Sequence, residues 1–98
     1  MGKIPFTQYL LPDGRRQATS IEMDDSISNA ADALIKKGYR FECEILTTGD
    51  ISITCVDPKD TGDIAIAICE NGPEVPATVE KVVRQAVEFD ETGVVSDS

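Results

Sequence analysis

The sequence predicts a small α+β domain in which two helices pack on one five-stranded, mainly antiparallel sheet, in the order ββαβββα. Three observations lead to this prediction. The chain has 98 residues, enough for one hydrophobic core. Apolar residues alternate with polar ones in several short segments, as in half-buried strands, and recur with helical spacing in two longer segments. Turn-forming residues separate these segments.

The first two strands are expected to form a hairpin around residues 12–14, Pro-Asp-Gly, which suit a tight turn. With a three-residue loop, Tyr9 would lie opposite Gln17. One face would then carry Tyr9, Leu11, Ile21 and Met23, and the other Ile4, Phe6 and Leu10. Because neither face is cleanly polar, either both are covered or one offers an apolar patch to a partner.

Residues 24–38 are expected to form the first helix. Acidic residues at its start and Lys36–Lys37 at its end complement the helix dipole, and Gly38 can terminate it. The stripe expected to face the core consists of Ile27, Ala30, Ala31, Leu34 and Ile35.

Residues 40–57 predict a second hairpin, and the apolar pattern selects its register. A two-residue turn would set Cys43 and Ile45 opposite polar residues on the core face. A three-residue loop over 47–49, with Gly49 left-handed, instead pairs Ile45 with Ile51 and Cys43 with Ile53. A slip of one residue exchanges every face, so we predict the second register.

The last strand and the last helix follow a polar connection, residues 57–63. Residues 63–72 alternate Ile with Ala and Cys, so both faces are apolar, and the face of small residues suits a position beneath a helix. This pattern predicts a central strand, or one covered on both sides. The helix expected after it buries Val79, Val82, Val83, Ala86 and Val87. We expect a single domain over 1–90 and a flexible acidic tail over 91–98.

The charge of the chain disfavours some partners. It contains 18 acidic and 9 basic residues, a net charge of −9. That sign repels nucleic-acid phosphates and anionic lipids. Acidity can simply keep the protein soluble, or it can face a basic partner. The sequence contains no apolar run long enough for a membrane span, and its three cysteines suit buried, reduced thiols. We therefore expect a cytoplasmic protein.

The residues that usually carry catalysis are few. The chain has no His, the commonest general base and neutral metal ligand. Cys43, Cys55 and Cys69 lie in apolar segments, where thiols are unreactive; a zinc site built on them is the less favoured alternative. Asp57, Asp60 and Asp63 could offer oxygens to a cation, but a solvated turn is the simpler interpretation. We predict no catalytic, cofactor-binding or metal-binding residues and no enzyme.

A surface for another macromolecule is the remaining hypothesis. Acids at 22–25 have an ordinary role in helix capping. Acids at 88–91 oppose the dipole of the last helix, so either that end frays or it meets a partner. The residues we expect at an interaction surface are Tyr9, Leu11, Arg15, Arg16, Glu22, Asp24 and Asp25.

Three segments, IPFTQYLLPDGRR, RFECEILTTGDIS and ICENGPEVP, make the chain similar to a set of small bacterial and phage-associated proteins. That resemblance implies no activity and no functional residues. The order αβββα over 24–90 is also similar to that of double-stranded-RNA-binding domains. Their basic helix start is replaced here by Pro73, Glu74, Val75 and Pro76, so the resemblance extends to topology and not to function.

The sequence therefore favours a non-catalytic interaction module, a regulator or inhibitor of bacterial or phage origin that binds another macromolecule. A small ligand-binding domain, or an enzyme that uses a cleft beside the sheet, is the alternative. A homodimer that pairs through a sheet edge or the first hairpin is compatible with either.

Overall fold

The computed structural model describes residues 2–10, 15–59 and 62–93. Within them the elements follow the predicted order ββαβββα. The strands are β1 (Gly2–Leu10), β2 (Arg15–Met23), β3 (Arg40–Ile45), β4 (Asp50–Val56) and β5 (Asp63–Glu70). The helices are α1 (Asp25–Lys36) and α2 (Val75–Thr92).

The five strands form one mixed, mostly antiparallel sheet in the order β2-β1-β3-β4-β5. The pairs β1–β2, β3–β4 and β4–β5 are antiparallel, whereas β1 and β3 run parallel. A parallel pair needs a long crossover, and β2 followed by α1 provides it. The chain thereby returns on the free side of β1, and β2 is left at one edge of the sheet.

The second hairpin has the predicted register. Ile45 pairs with Ile51 and Cys43 with Ile53. Gly49 has a φ of 92°, the left-handed conformation that this loop requires. The apolar pattern selected the register because any one-residue slip would have placed polar side chains in the core.

The first hairpin differs from the prediction by one residue. Leu10 pairs with Arg15 and Tyr9 with Arg16, so four residues, 11–14, connect the strands instead of three. These four lie outside the described residues. The shift moves Ile21 onto the face of Ile4, its partner in the pair. The predicted grouping of Tyr9 with Ile21 and Met23 is therefore wrong, and the apolar residues of this hairpin gather on the core side.

Both helices pack against the same face of the sheet and against each other, α1 over β1 and β2, and α2 mainly over β4 and β5. Asp24 caps α1 by accepting a hydrogen bond from the backbone N–H of Ile27 at 3.3 Å, as its position predicts. The most deeply buried members of the shared core include Ile4, Ala31, Ile53, Cys55, Val79, Val82 and Ala86.

Candidate protein-binding surface

The sheet has one covered face and one open face. Directly paired residues lie on the same face, so the pairings assign each strand's residues to one side. Within the described ranges both helices contribute to the core on one side only. The opposite side, here called the open face, includes Thr7, Tyr9, Arg16, Ala18, Glu42, Glu44, Ser52, Thr54, Ile66 and Ile68.

Strand β5 forms the edge of this sheet next to β4. Its small residues Ala65 and Ala67 face α2, and Ala65 is buried there. Ile64, beside the register shift at the start of the strand, is buried in the core. Ile66 and Ile68 point away from α2, and they are 53% and 59% exposed. They are the large hydrophobic residues that the described part of the chain leaves exposed.

The prediction that β5 is central, or covered on both sides, is therefore wrong. The half of that prediction that placed small residues beneath a helix is confirmed, because α2 packs over Ala65 and Ala67. The other half failed because both helices lie on the same side of the sheet. The number of predicted helices could have indicated that one face is open, because two helices cover only about one face of a five-stranded sheet.

The rest of the open face near β5 is polar, and several of its side chains are hydrogen-bonded. Tyr9 donates its hydroxyl to Oε2 of Glu42 at 3.2 Å, and the Thr54 hydroxyl donates to the Glu42 backbone carbonyl at 3.3 Å. Ser52 and Thr54 are only 6% and 8% exposed although no layer covers them. Neighbouring side chains thus cover Ser52 and Thr54, and the two isoleucines form an exposed apolar patch beside these polar residues. We call Ile66 and Ile68, with the β5 backbone edge, the β5 patch.

The predicted interaction residues do not form this patch. Tyr9 and Arg16 are paired on the open face, while Arg15 lies on the opposite side of β2 from Arg16. Leu11 is outside the described residues. Across the sheet, three strands separate β2 from β5.

The acidic part of that prediction lies at the far end of the hairpin. Glu22 is exposed near the end of β2, and Asp24 is the N-cap of α1. Asp25 belongs to the first turn of that helix. Glu22 lies six positions after Arg16, which corresponds to about 20 Å along a strand at ~3.3 Å per residue. The predicted surface is thus divided between two ends of the molecule.

The acidic end of α2 has a structural explanation that the sequence did not reveal. Asp90 forms an ion pair with Lys37, and its Oδ1 accepts a hydrogen bond from the Tyr39 hydroxyl at 3.2 Å. The ring of Phe89 lies edge-on to Tyr39, with centroids 6.4 Å apart. The hydrogen bond and charge of Lys37 lower the pKa of Asp90, and burial followed by the Asp90 charge raises the pKa of Tyr39.

These contacts connect the end of α2 to the turn after α1. The helix continues through Asp90 to Thr92, and Gly93 ends it with a φ of 74°. The expectation of fraying at 88–91 is therefore wrong over these residues. The cost of an acid at a helix C-terminus is offset here by a neighbouring cation.

Two of the three cysteines are buried, as the sequence predicts. Cys43 and Cys55 are buried in the core as free thiols, and Cys69 is half-buried. Burial raises the pKa of Cys43 to about 11 and that of Cys55 to about 12. Both thiols are consequently protonated and poorly nucleophilic at neutral pH.

The connection at 57–63 shows no cation site among its described residues. Asp57 is buried and Asp63 begins β5, while Asp60 lies outside the described part of the chain. No group of three or more acidic or cysteine side chains with the spacing of a metal site occurs in residues 2–10, 15–59 and 62–93.

Among the clefts lined by the described residues, two that involve α2 are the most relevant to ligand binding. One, of about 440 Å³, runs between α1 and α2 over Ala30 and Val87. The other, of about 460 Å³, adjoins Lys37, Tyr39 and Asp90. In the second, these polar groups bond to one another, and in the first the floor is the junction of the two helices. The alternative of a ligand-binding cleft therefore has weaker support than the β5 patch.

No protein-family model, no curated protein and no solved structure matches this chain. Within the described residues, neither helix has the length and apolar character needed to cross a membrane.

Proposed function

We propose that this protein is a non-catalytic interaction module that binds an extended strand of a protein partner along the edge of β5. The observation that carries the proposal is the exposure of Ile66 and Ile68 on an edge strand whose other side is anchored under α2. A strand added to such an edge gains backbone hydrogen bonds, while the alternate side chains give specificity.

The apolar side chains supply a driving force for this addition. Complete burial of an Ile side chain is worth ~1.5–3 kcal/mol, and each of these two is about half exposed. Covering both therefore contributes on the order of 2 kcal/mol, beside the backbone hydrogen bonds that the new strand makes. Because the two side chains are about half exposed, they contribute less to the fold of the isolated chain than a buried isoleucine does, and binding of a partner strand would use the remaining surface.

The remainder of the chain supports binding rather than catalysis. It has no His, and the buried thiols of Cys43 and Cys55 have raised pKa values. Its net charge of −9 disfavours nucleic acid as the partner. If the partner protein uses that strand in another interaction, binding of the strand by this module would regulate or inhibit the partner.

Photo-crosslinking in the cells that produce the protein tests this proposal. A crosslinking amino acid replaces Glu70, which is exposed near the isoleucines at the end of β5. The matched control replaces Glu22, an exposed acid near the end of the other edge strand, β2. We expect a discrete protein adduct from position 70 and none of the same mass from position 22.

A second variant connects the adduct to the patch. Ile66→Lys places a charge in the middle of the patch, and we expect it to reduce the adduct at position 70 at least about tenfold. The proposal is rejected if position 70 yields no adduct, or if Ile66→Lys leaves its yield unchanged.

A further inference from the structure

The sequence of β5 is nearly symmetric about its own middle. Residues 65–69 read Ala-Ile-Ala-Ile-Cys, so a small residue and an isoleucine alternate in the same way on either side of Ala67. The small residues face α2 and the isoleucines are exposed on the open face. A strand with this arrangement is complementary to a second copy of itself.

Antiparallel pairing about a two-fold axis through Ala67 shows this complementarity. Ile66 of one copy would lie opposite Ile68 of the other, and Ala65 would lie opposite Cys69. Because paired residues share a face, the four isoleucines would form one cluster on the open face. On the opposite face only small side chains would meet, beneath the two copies of α2.

No charge interrupts the segment that would pair. Residues 64–69 carry no charged side chain, in contrast to Arg15 and Arg16 on the other edge strand. The regular segment is limited by the register shift in the β4–β5 ladder near Val56. In this register Glu70 of one copy would lie opposite Ile64 of the other and next to its Asp63, so these two acids set the boundary of the contact at each end.

We propose that the strand bound by β5 is β5 of a second copy, giving a two-fold symmetric dimer with one continuous sheet. This inference rests on the proposed function, because it names the partner of the same patch. An isologous contact of this kind is closed, so it ends at two copies.

The salt dependence of binding distinguishes the dimer from a complex with a basic partner. Each copy carries a net charge of −9, and the acids at the ends of the pair repel. Salt screens this repulsion over a Debye length of ~10 Å at ~0.1 M. Dimerisation is therefore expected to strengthen as salt increases, whereas binding of a basic partner weakens.

Sedimentation equilibrium of the purified full chain tests the inference. We expect a monomer–dimer equilibrium whose dissociation constant falls between ~20 mM and ~500 mM salt. Ile66→Lys and Ile68→Lys should each weaken dimerisation at least about tenfold. The matched control, Ala18→Lys, adds the same charge to the open face at the opposite edge and should leave the dissociation constant unchanged. Thermal unfolding of each variant shows whether it is folded.

The outcomes separate this inference from the proposed function. A chain that is monomeric at all concentrations, or a dimer that tolerates both β5 lysines, overturns the inference. Growth into species larger than a dimer also overturns it and indicates open-ended aggregation. If the purified chain is monomeric but position 70 forms an adduct with a different protein, the proposed function stands and the inference fails. If neither association is found, both fail.

Discussion

The sheet has two edge strands, β2 and β5, and they differ in which side chains they expose on the open face. On β2 the exposed positions include Arg15, Arg16 and Gln17, and the apolar Met23 is buried in the core. On β5 the buried residues are Ile64 and Ala65, near the start of the strand, and Ile66 and Ile68 are exposed. Charges on an edge strand block pairing with other chains. β2 carries Arg15 and Arg16 at its start, whereas the charges of β5 are confined to its two end residues, Asp63 and Glu70.

This difference shows that the exposure of apolar side chains on an edge strand depends on which face of the sheet the helices cover. Each edge strand has one side beneath the helices and one side open. In β2 the larger hydrophobic residues lie on the covered side, and they stabilise the fold. In β5 two of the three isoleucines, Ile66 and Ile68, lie on the open side, where they are available to a partner.

Thiol labelling gives the largest expected difference. Cys69, half-buried on β5, should react with a maleimide at neutral pH, while Cys43 and Cys55 should react only when the protein opens. For an unfolding free energy of at least ~5 kcal/mol, this slows the buried thiols more than ~10³-fold. Mass spectrometry after digestion measures the three rates.

The same labelling experiment tests whether the edge of β5 is covered by a second copy. If β5 pairs with a second copy, labelling of Cys69 slows as protein concentration rises in the wild type and does not in Ile66→Lys. Equal labelling of all three thiols would contradict the burial of Cys43 and Cys55.

Alanine substitutions in three strands of the sheet should give the next largest effect, which is a loss of folding stability. Ile53→Ala, in the core, should lower the free energy of unfolding by ~2–5 kcal/mol. Ile21→Ala, half-buried on β2, should cost ~1–2 kcal/mol, and Ile68→Ala on β5 less than ~1 kcal/mol.

Denaturant unfolding measures this series in the Ile66→Lys background, where dimerisation does not contribute to stability. A large loss for Ile68→Ala in that background would mean that β5 uses its isoleucines for folding. The contrast between the two edges would then disappear.

The smallest effect concerns Asp90, at the end of the helix that covers β5. Its pKa is lower in the folded protein than the ordinary 3.8, because Lys37 donates a hydrogen bond to it. The resulting stability is present above the unfolded pKa and is lost as pH falls through the folded pKa. Asp90→Asn should therefore destabilise at pH 7, and the difference from wild type should shrink below about pH 4.

Thermal unfolding between pH 2 and pH 7 measures this difference. Asp32→Asn is the control, because Asp32 pairs with Lys36 along one exposed helix face at 3.1 Å. We expect Asp32→Asn to have a smaller effect, since an exposed pair is screened by water. Equal effects of the two substitutions would show that the Lys37–Asp90 pair does not anchor α2.

Local patterns allowed a large part of the fold to be predicted. The register of the second hairpin followed from the pairing of Ile45 with Ile51, and Asp24 was placed correctly at the start of α1. The first hairpin was less predictable, because apolar residues occur on both faces of its strands and several registers bury some of them. The structure places Tyr9 opposite Arg16 and leaves residues 11–14 as the connection.

The candidate site was predicted poorly, because it depends on what each strand lies beside. The alternation of Ile66 and Ile68 with small residues is visible in the sequence, but it is equally compatible with a central strand. Likewise, the Lys37–Asp90 pair joins residues 53 positions apart, and no local pattern connects them.

The sequence by itself determined the order of the elements, the absence of His and the acidic charge, since these depend on composition and on short-range periodicity. Tertiary structure alone decided that β1 also pairs with β3, that both helices cover one face, and that β5 forms an edge. These features arise from contacts between distant segments. The exposure of Ile66 and Ile68 is a consequence of those contacts, because an isoleucine is buried or exposed according to the layer that lies above it.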